Sequence, residues 1–230
     1  MRTLLSKHVR LIRHGESAAN AGATTQDHAS IPLTAKGLEQ ARQVALSFTE
    51  APGLIIASPF SRAHATAAWT MTVFPSCELQ TWPIQEFTYL EPARCVNTTV
   101  AQRKEWVIEY WDRADPLYID GEGAESFAAF IARARSFLDR LADNQHRSIA
   151  VFSHGQFLNA VAWLIERKPS KIDGHSMTDW RAYEMLNHVG NCCGYQLISQ
   201  LNGAGWTLKR PKAHHAQSFL PQIPFKRLMP

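Results

Sequence analysis

A chain of 230 residues, 45% hydrophobic and 19% charged, can bury one large core or two small ones and has the composition of an ordinary globular protein, not of a disordered or fibrous one. Its net charge of +4 comes without a run of five or six Lys/Arg, which argues against nucleic-acid and membrane-surface partners; no stretch nears the roughly 18 apolar residues of a membrane span, and no long apolar run before Arg10 suggests a signal peptide. Four cysteines (Cys77, Cys95, Cys192, Cys193) make no C-x-x-C pair and no disulfide framework, so reduced thiols, no zinc site and a cytoplasmic location are expected.

After a loose lead-in over Met1–Ser6, an apolar strand is expected at Lys7–Ile12, followed by a loop to Pro32. Thr34 reads as the N-cap of a helix running to about Phe48, with Leu38, Ala41, Ala45 and Phe48 on one face. Pro52-Gly53 ends it, and Leu54–Ala57 is a short buried strand. A helix follows from Ser61 to Phe74, then an edge strand at Leu79–Trp82.

The span from Phe87 to Gly123 has no strand pattern; Val100–Arg113 looks helical and Asp120–Gly123 is a turn. Ala124–Leu141 carries a clear helical stripe of Phe127, Phe130, Ile131, Ala134, Phe137, Leu138 and Leu141. A buried strand is expected at Arg147–Phe152 and a helix at Gln156–Glu166, with Pro169–Arg181 irregular. Two last strands, Cys193–Ser199 and Trp206–Arg210, flank an Asn202-Gly203 hairpin signal. The tail over 211–230 carries four prolines and reads as extended. Strands alternating with helices imply an α/β fold, a three-layer sandwich with a mostly parallel central sheet and helices on both faces.

Three segments carry chemistry, and each follows an apolar strand: Arg13-His14-Gly15-Glu16-Ser17 with Asn20, Ser58-Pro59-Phe60-Ser61-Arg62-Ala63, and Ser153-His154-Gly155. Ligands of open α/β sheets collect at the carboxyl ends of strands, so Arg13, His14, Arg62 and His154 can converge although far apart in sequence. An imidazole among permanent cations is suited to attack phosphorus, since the cations disfavour imidazolium and can fork onto phosphate oxygens. Read without company, His154 could instead cap the helix that follows it, as could Ser153.

In this order, the segments resemble the histidine phosphatase superfamily, the phosphoglycerate mutase-like proteins, from about Val9 to about Leu197. The resemblance implies one α/β domain over 1–210, with a lid insertion at about 87–125. It implies that His14 becomes a phosphohistidine and that Arg13, Arg62 and His154 hold the phosphoryl oxygens, with Asn20 and Gly155 beside them. A glutamate a couple of dozen residues after the second arginine would be the general acid and base; Glu86 fits that setting best, with Glu78 and Glu91 as rivals. No metal or other cofactor is called for, and His214-His215 has no carboxylate beside it to suggest a metal site.

Two departures from the mutases favour a phosphatase of a small phosphorylated molecule. Ala18 stands where mutases carry Trp, and Phe87–Arg94 replaces a Gly-rich segment. A mutase-type phosphotransferase is the alternative, and a phospho-ligand binding module without turnover a more distant one. Arg94, Asn97 and Arg103 are candidate substrate contacts within the lid. Oligomeric state has no signal in the chain.

Overall fold

Residues 6–199 and 205–210 are described by the structure, a computed structural model. Strands β1 (His8–Arg13), β2 (Leu54–Ala57), β3 (Leu79–Thr81), β4 (Ser148–Ser153), β5 (Gly194–Ser199) and β6 (Trp206–Lys209) form one sheet in the order β3-β2-β4-β1-β5-β6. The first four are mutually parallel; β5 lies antiparallel on β1 and β6 antiparallel on β5. Parallel neighbours need crossovers. The helices that supply them or follow them are α1 (Ala35–Leu46), α2 (Ser61–Val73), α3 (Pro92–Cys95), α4 (Lys104–Arg113), α5 (Phe127–Asp143), α6 (Gly155–Arg167) and α7 (Gly174–Leu186).

Alternation along the strands builds the layers, because successive side chains point to opposite faces. Val9, Leu11, Leu54, Ile56, Ile149 and Val151 face a large core closed by α5 and α6, with Phe130, Phe137, Phe157 and Val161 in it. Ile12, Ile55, Ala57, Ala150 and Phe152 face a smaller core completed by Val44 of α1 and Ala67 of α2. The central sheet is thus covered on both faces.

Local signals set several helix starts. Thr34 Oγ1 accepts from the Gly37 amide at 3.0 Å, and Ser126 Oγ accepts from the Ala129 amide at 3.2 Å. Each such cap contributes about 1 kcal/mol.

Four expectations need correction. Leu38 is exposed, and α1 buries Gly37, Ala41, Val44 and Ala45 instead. Its N-terminus presses so closely on the loop after His14 that only backbone fits there. A Cβ on Gly37 would stand 2.0 Å from Glu16 O, and one on Gly15 2.4 Å from Gly37 O. The segment 169–181, read as irregular, contains most of α7, opened by a reciprocal Asp173–Ser176 capping box. Its buried stripe of Met177, Trp180 and Tyr183 is thin among polar neighbours. The helices expected from Val100 and Ala124 begin later, at Lys104 and Phe127, and one-turn α3 had no sequence signal. The Asn202-Gly203 turn, residues 1–5 and the tail from Pro211 lie outside the described residues. Among the described residues, no helix is long and apolar enough to cross a membrane.

Between β3 and α5 the chain carries α3 and α4. Phe87 stacks on Phe130 at 4.2 Å between centroids, and Trp111 stacks on Trp180 at 5.4 Å. Aromatic packing therefore anchors this excursion to α5 and α7.

Candidate active site

Register brings the three motifs together. Arg13 pairs with Ser153, and Ala57 with Phe152, so β1, β2 and β4 end level and deliver His14, Ser58 and His154 side by side. The His14 amide donates to Ser153 O at 2.9 Å and the Ser58 amide to Phe152 O at 2.9 Å, which extends the ladder into the site. Residues 14 and 154 end up with ring centroids 5.1 Å apart, tilted by 59°.

His14 is 3% exposed. Its Nδ1 lies 2.7 Å from Gly15 O, a carbonyl that can only accept, so Nδ1 carries the proton and Nε2 the lone pair. Arg62 Nε donates to that Nε2 at 3.2 Å. Burial, then the charges of Arg62 and Arg13, lower the His14 pKa from 6.5 to about 3, so the ring is neutral at pH 7. The cations invoked from sequence act in the expected direction, but burial is the larger cause.

Arg62, in the first turn of α2, is buried over the Phe60 ring and donates from Nη1 to His28 O at 2.7 Å. Desolvation brings its pKa to about 10, which still leaves it charged at pH 7. Arg13 donates from Nη1 to Val189 O at 2.6 Å, while its buried Nε has no partner among the described residues. Gly155 packs beside that guanidinium, and a Cβ there would stand in ordinary contact, 3.6 Å from Arg13 Cδ and Nε.

His154 is fully buried and precedes α6 without making a side-chain cap. Ser153 does not cap either; its hydroxyl donates to Ile84 O at 2.6 Å. His154 Nε2 lies 2.8 Å from Ser58 Oγ. Ser58 Oγ accepts from the Phe60 amide at 3.2 Å and, as a hydroxyl, can either donate to His154 Nε2 or accept from it. His154 Nδ1 has no partner among the described residues. Burial, with Arg62 next, holds this ring neutral as well. Arg13 Nε, a donor, and His154 Nδ1 are thus both buried without a partner among the described residues. Buried polar groups are seldom left unpaired, and an anion's oxygens would satisfy the arginine donor and, in its Nδ1–H form, the imidazole.

Glu86 stands on the chain leaving β3. Its Oε1 accepts from the Gln156 amide at 3.1 Å, in the first turn of α6, and from the Phe87 amide at 3.3 Å. Burial raises its pKa against the pull of Arg62 and Arg13. Of the rivals, Glu78 is exposed and binds Gln80, and Glu91 packs under Gly121. Asn20 is exposed; its Oδ1 accepts from Ser17 Oγ at 3.0 Å and from Asn191 Nδ2 at 3.2 Å.

A neutral imidazole with an unprotonated Nε2, two arginines, a second neutral imidazole and a carboxyl group thus gather at one end of the parallel strands. Over residues 9–193 the sequence matches the histidine phosphatase superfamily (branch 1). The chain belongs to that superfamily.

As a histidine phosphatase superfamily member it has close company in both sequence and fold. It is 29% identical over 187 residues to the adenosylcobalamin/alpha-ribazole phosphatase of Escherichia coli (strain K12), covering 76% of this chain and 88% of that protein. Its fold is that of the alpha-ribazole phosphatase from Shigella flexneri, with a TM-score of 0.67 and 23% identity over 92% of this chain and 100% of the other. A mycobacterial glucosyl-3-phosphoglycerate phosphatase superposes with a TM-score of 0.68 and 21% identity over 91% of this chain and 100% of the other.

Three groups in this histidine phosphatase site escaped the sequence reading as individuals. Ser58 was visible inside its motif, but not its bond to His154. Thr66 Oγ1, one turn into α2 from Arg62, accepts from the Gly15 amide at 3.0 Å. Asn191 donates to His14 O at 3.0 Å and so ties the lead-in of β5 to the loop that begins at His14. No local signal marks a residue 177 positions away.

Proposed function

We propose that the protein, a phosphoric monoester hydrolase by family, hydrolyses a small-molecule phosphomonoester through a phosphohistidine on His14, with Glu86 as general acid and base. The observation that carries this reading is the unprotonated Nε2 of His14, which accepts from Arg62 Nε at 3.2 Å, with Arg13 Nε and His154 Nδ1 left unpaired in the same cluster. Phosphoryl transfer asks for positioning and charge stabilisation, which such a set can supply.

In the first step the His14 Nε2 lone pair forms the N–P bond as the P–O ester bond breaks. The leaving oxygen takes its proton from Glu86. Arg13, Arg62 and His154 donate to the three equatorial oxygens, and Asn20 adds a hydrogen bond at the loop. In the second step water attacks phosphorus, Glu86 accepts its proton, and the N–P bond breaks to return the lone pair to His14. A raised Glu86 pKa favours the protonated form that the first step needs.

Hydrolysis of p-nitrophenyl phosphate by the wild type, abolished in His14→Ala, is the expected result. Acid-labile phosphate trapped on the wild type, and absent from the variant, identifies the intermediate. Equal rates for the two proteins would end the reading. A mutase-type phosphotransferase would instead keep its phosphohistidine in water and depend on a bisphosphate primer, so prompt release of inorganic phosphate separates the two.

A further inference from the structure

The three lid residues singled out as substrate contacts have different fates. Arg94 is paired with Asp120 at 2.5 Å, and Asn97 accepts from Gln26 Nε2 at 2.7 Å, so both serve the lid itself. Arg103, just before α4, is 9% exposed, and only its Nε is engaged, donating to Thr99 O at 3.2 Å. Neither Nη nitrogen makes a hydrogen bond within the described residues, and no carboxylate there lies within 4.0 Å of the guanidinium. Its Nη atoms are not sealed from solvent, so a cation with no fixed counter-charge among the described residues is presented where an anion can reach it.

Arg103 faces a cleft of about 200 Å³ that it shares with Glu86 and Gln156. His28, in the same wall, gives its carbonyl to Arg62 Nη1 at 2.7 Å, so the cleft adjoins the His14 end of the site. Glu86 does not neutralise Arg103: its oxygen is held by the Gln156 and Phe87 amides, and its charge partners are Arg62 and Arg13. The rest of the wall is largely apolar, with Phe87, Leu90 and Val107. The cleft is smaller than the roughly 300–1,000 Å³ of most ligand pockets, which limits its occupant to about one ring or a short chain.

We infer that the alcohol half of the substrate is compact and carbon-rich and carries a second anionic group, a carboxylate or a phosphate, which Arg103 receives in this cleft. The inference rests on the phosphomonoesterase reading above for where the ester sits. Arg103 is thereby a specificity-determining residue, acting on binding of the substrate rather than on the P–O bond.

Matched esters test this: phenyl phosphate, 4-carboxyphenyl phosphate and 1,4-phenylene bisphosphate, each assayed with wild type, Arg103→Gln and Arg103→Lys. The quantity read is the kcat/KM ratio of each dianionic-type ester to phenyl phosphate on one sample, so a reduced folded fraction cancels. A charge-assisted hydrogen bond predicts that Arg103→Gln lowers the ratio about 10- to 100-fold, mostly through KM, for whichever of the two anions fits. Arg103→Lys should recover much of it. A ratio that Arg103→Gln leaves unmoved in both arms overturns the inference, while hydrolysis of phenyl phosphate still upholds the phosphatase reading. Calorimetric affinities of the same esters for His14→Ala ask the question without turnover. An Arg103-dependent affinity ratio in a wild type that hydrolyses none of them would support the anion site and sink the phosphatase reading.

Discussion

Replacing Glu86 with Gln retains the side chain's shape and an oxygen for the Gln156 and Phe87 amides, and removes only the ionisable proton. The structure makes this a clean change, because burial and the two arginines act on the Glu86 charge in opposite senses and neither depends on its proton for position. General acid catalysis is worth about 10²- to 10⁴-fold, so kcat/KM on an alkyl phosphate should fall by about that much. Nitrophenolate leaves without a proton, so p-nitrophenyl phosphate should lose about tenfold or less in the phosphorylation step. Wild-type activity on the alkyl ester should also decline as pH rises through the raised Glu86 pKa, and Glu86→Gln should lack that limb. Above the raised Glu86 pKa, where the wild type holds a carboxylate near Arg13 and Arg62, Glu86→Gln should tighten inhibition by inorganic phosphate. The kcat/KM of each ester between pH 5 and 8, which reports the phosphorylation step and not the shared hydrolysis of the phosphohistidine, reads this, with inorganic phosphate added as the inhibitor. An equal fall on the two esters would refute the acid role and leave Glu86 a positioning residue.

Acid stability provides a separate check on His14. With a folded pKa near 3 against 6.5 unfolded, the unfolded chain binds more protons between those values, so stability is full above 6.5 and declines as pH falls. The loss from this one ring should reach about 2 kcal/mol by pH 5, and urea midpoints at pH 7 and 5 in phosphate-free buffer should show that much less pH dependence in His14→Gln. Gly37→Ala places a methyl group 2.0 Å from Glu16 O. It should cost about 1–3 kcal/mol in thermal or urea unfolding and lower kcat by displacing the loop that carries His14; a wild-type melting temperature would count against the close approach. Ser58→Ala leaves His154 Nε2 buried without its partner. About 1–3 kcal/mol of stability and at least tenfold in kcat should be lost, with Ser58→Thr recovering part of both if the hydroxyl is what sets the imidazole tautomer.

Much of this protein is readable along the chain because strand alternation and helix period are local properties. The buried runs Leu54–Ala57 and Ser148–Ser153, the Thr34 cap and the Phe127–Leu141 stripe all emerge where their patterns place them. Reading fails where neighbours in space overrule the pattern. Leu38 has the right spacing for the α1 core face, yet α1 turns Gly37 inward because the backbone after His14 must pass there. The α7 helix was hidden because Met177, Trp180 and Tyr183 leave too few apolar positions for a stripe.

The same division holds at the site. Residue identity and order brought forward Arg13, His14, Arg62 and His154, and the family resemblance added Glu86 with Glu78 and Glu91 as rivals, since imidazole, guanidinium and carboxyl chemistry travels with the side chain. Which nitrogen of His14 is unprotonated, which buried polar atoms are unpaired, and that Arg103 is buried without a counter-charge while Arg94 and Asn97 are already engaged, were decided by tertiary structure. Protonation and pairing depend on burial and on partners up to 177 positions away, and chain-local patterns carry no record of either.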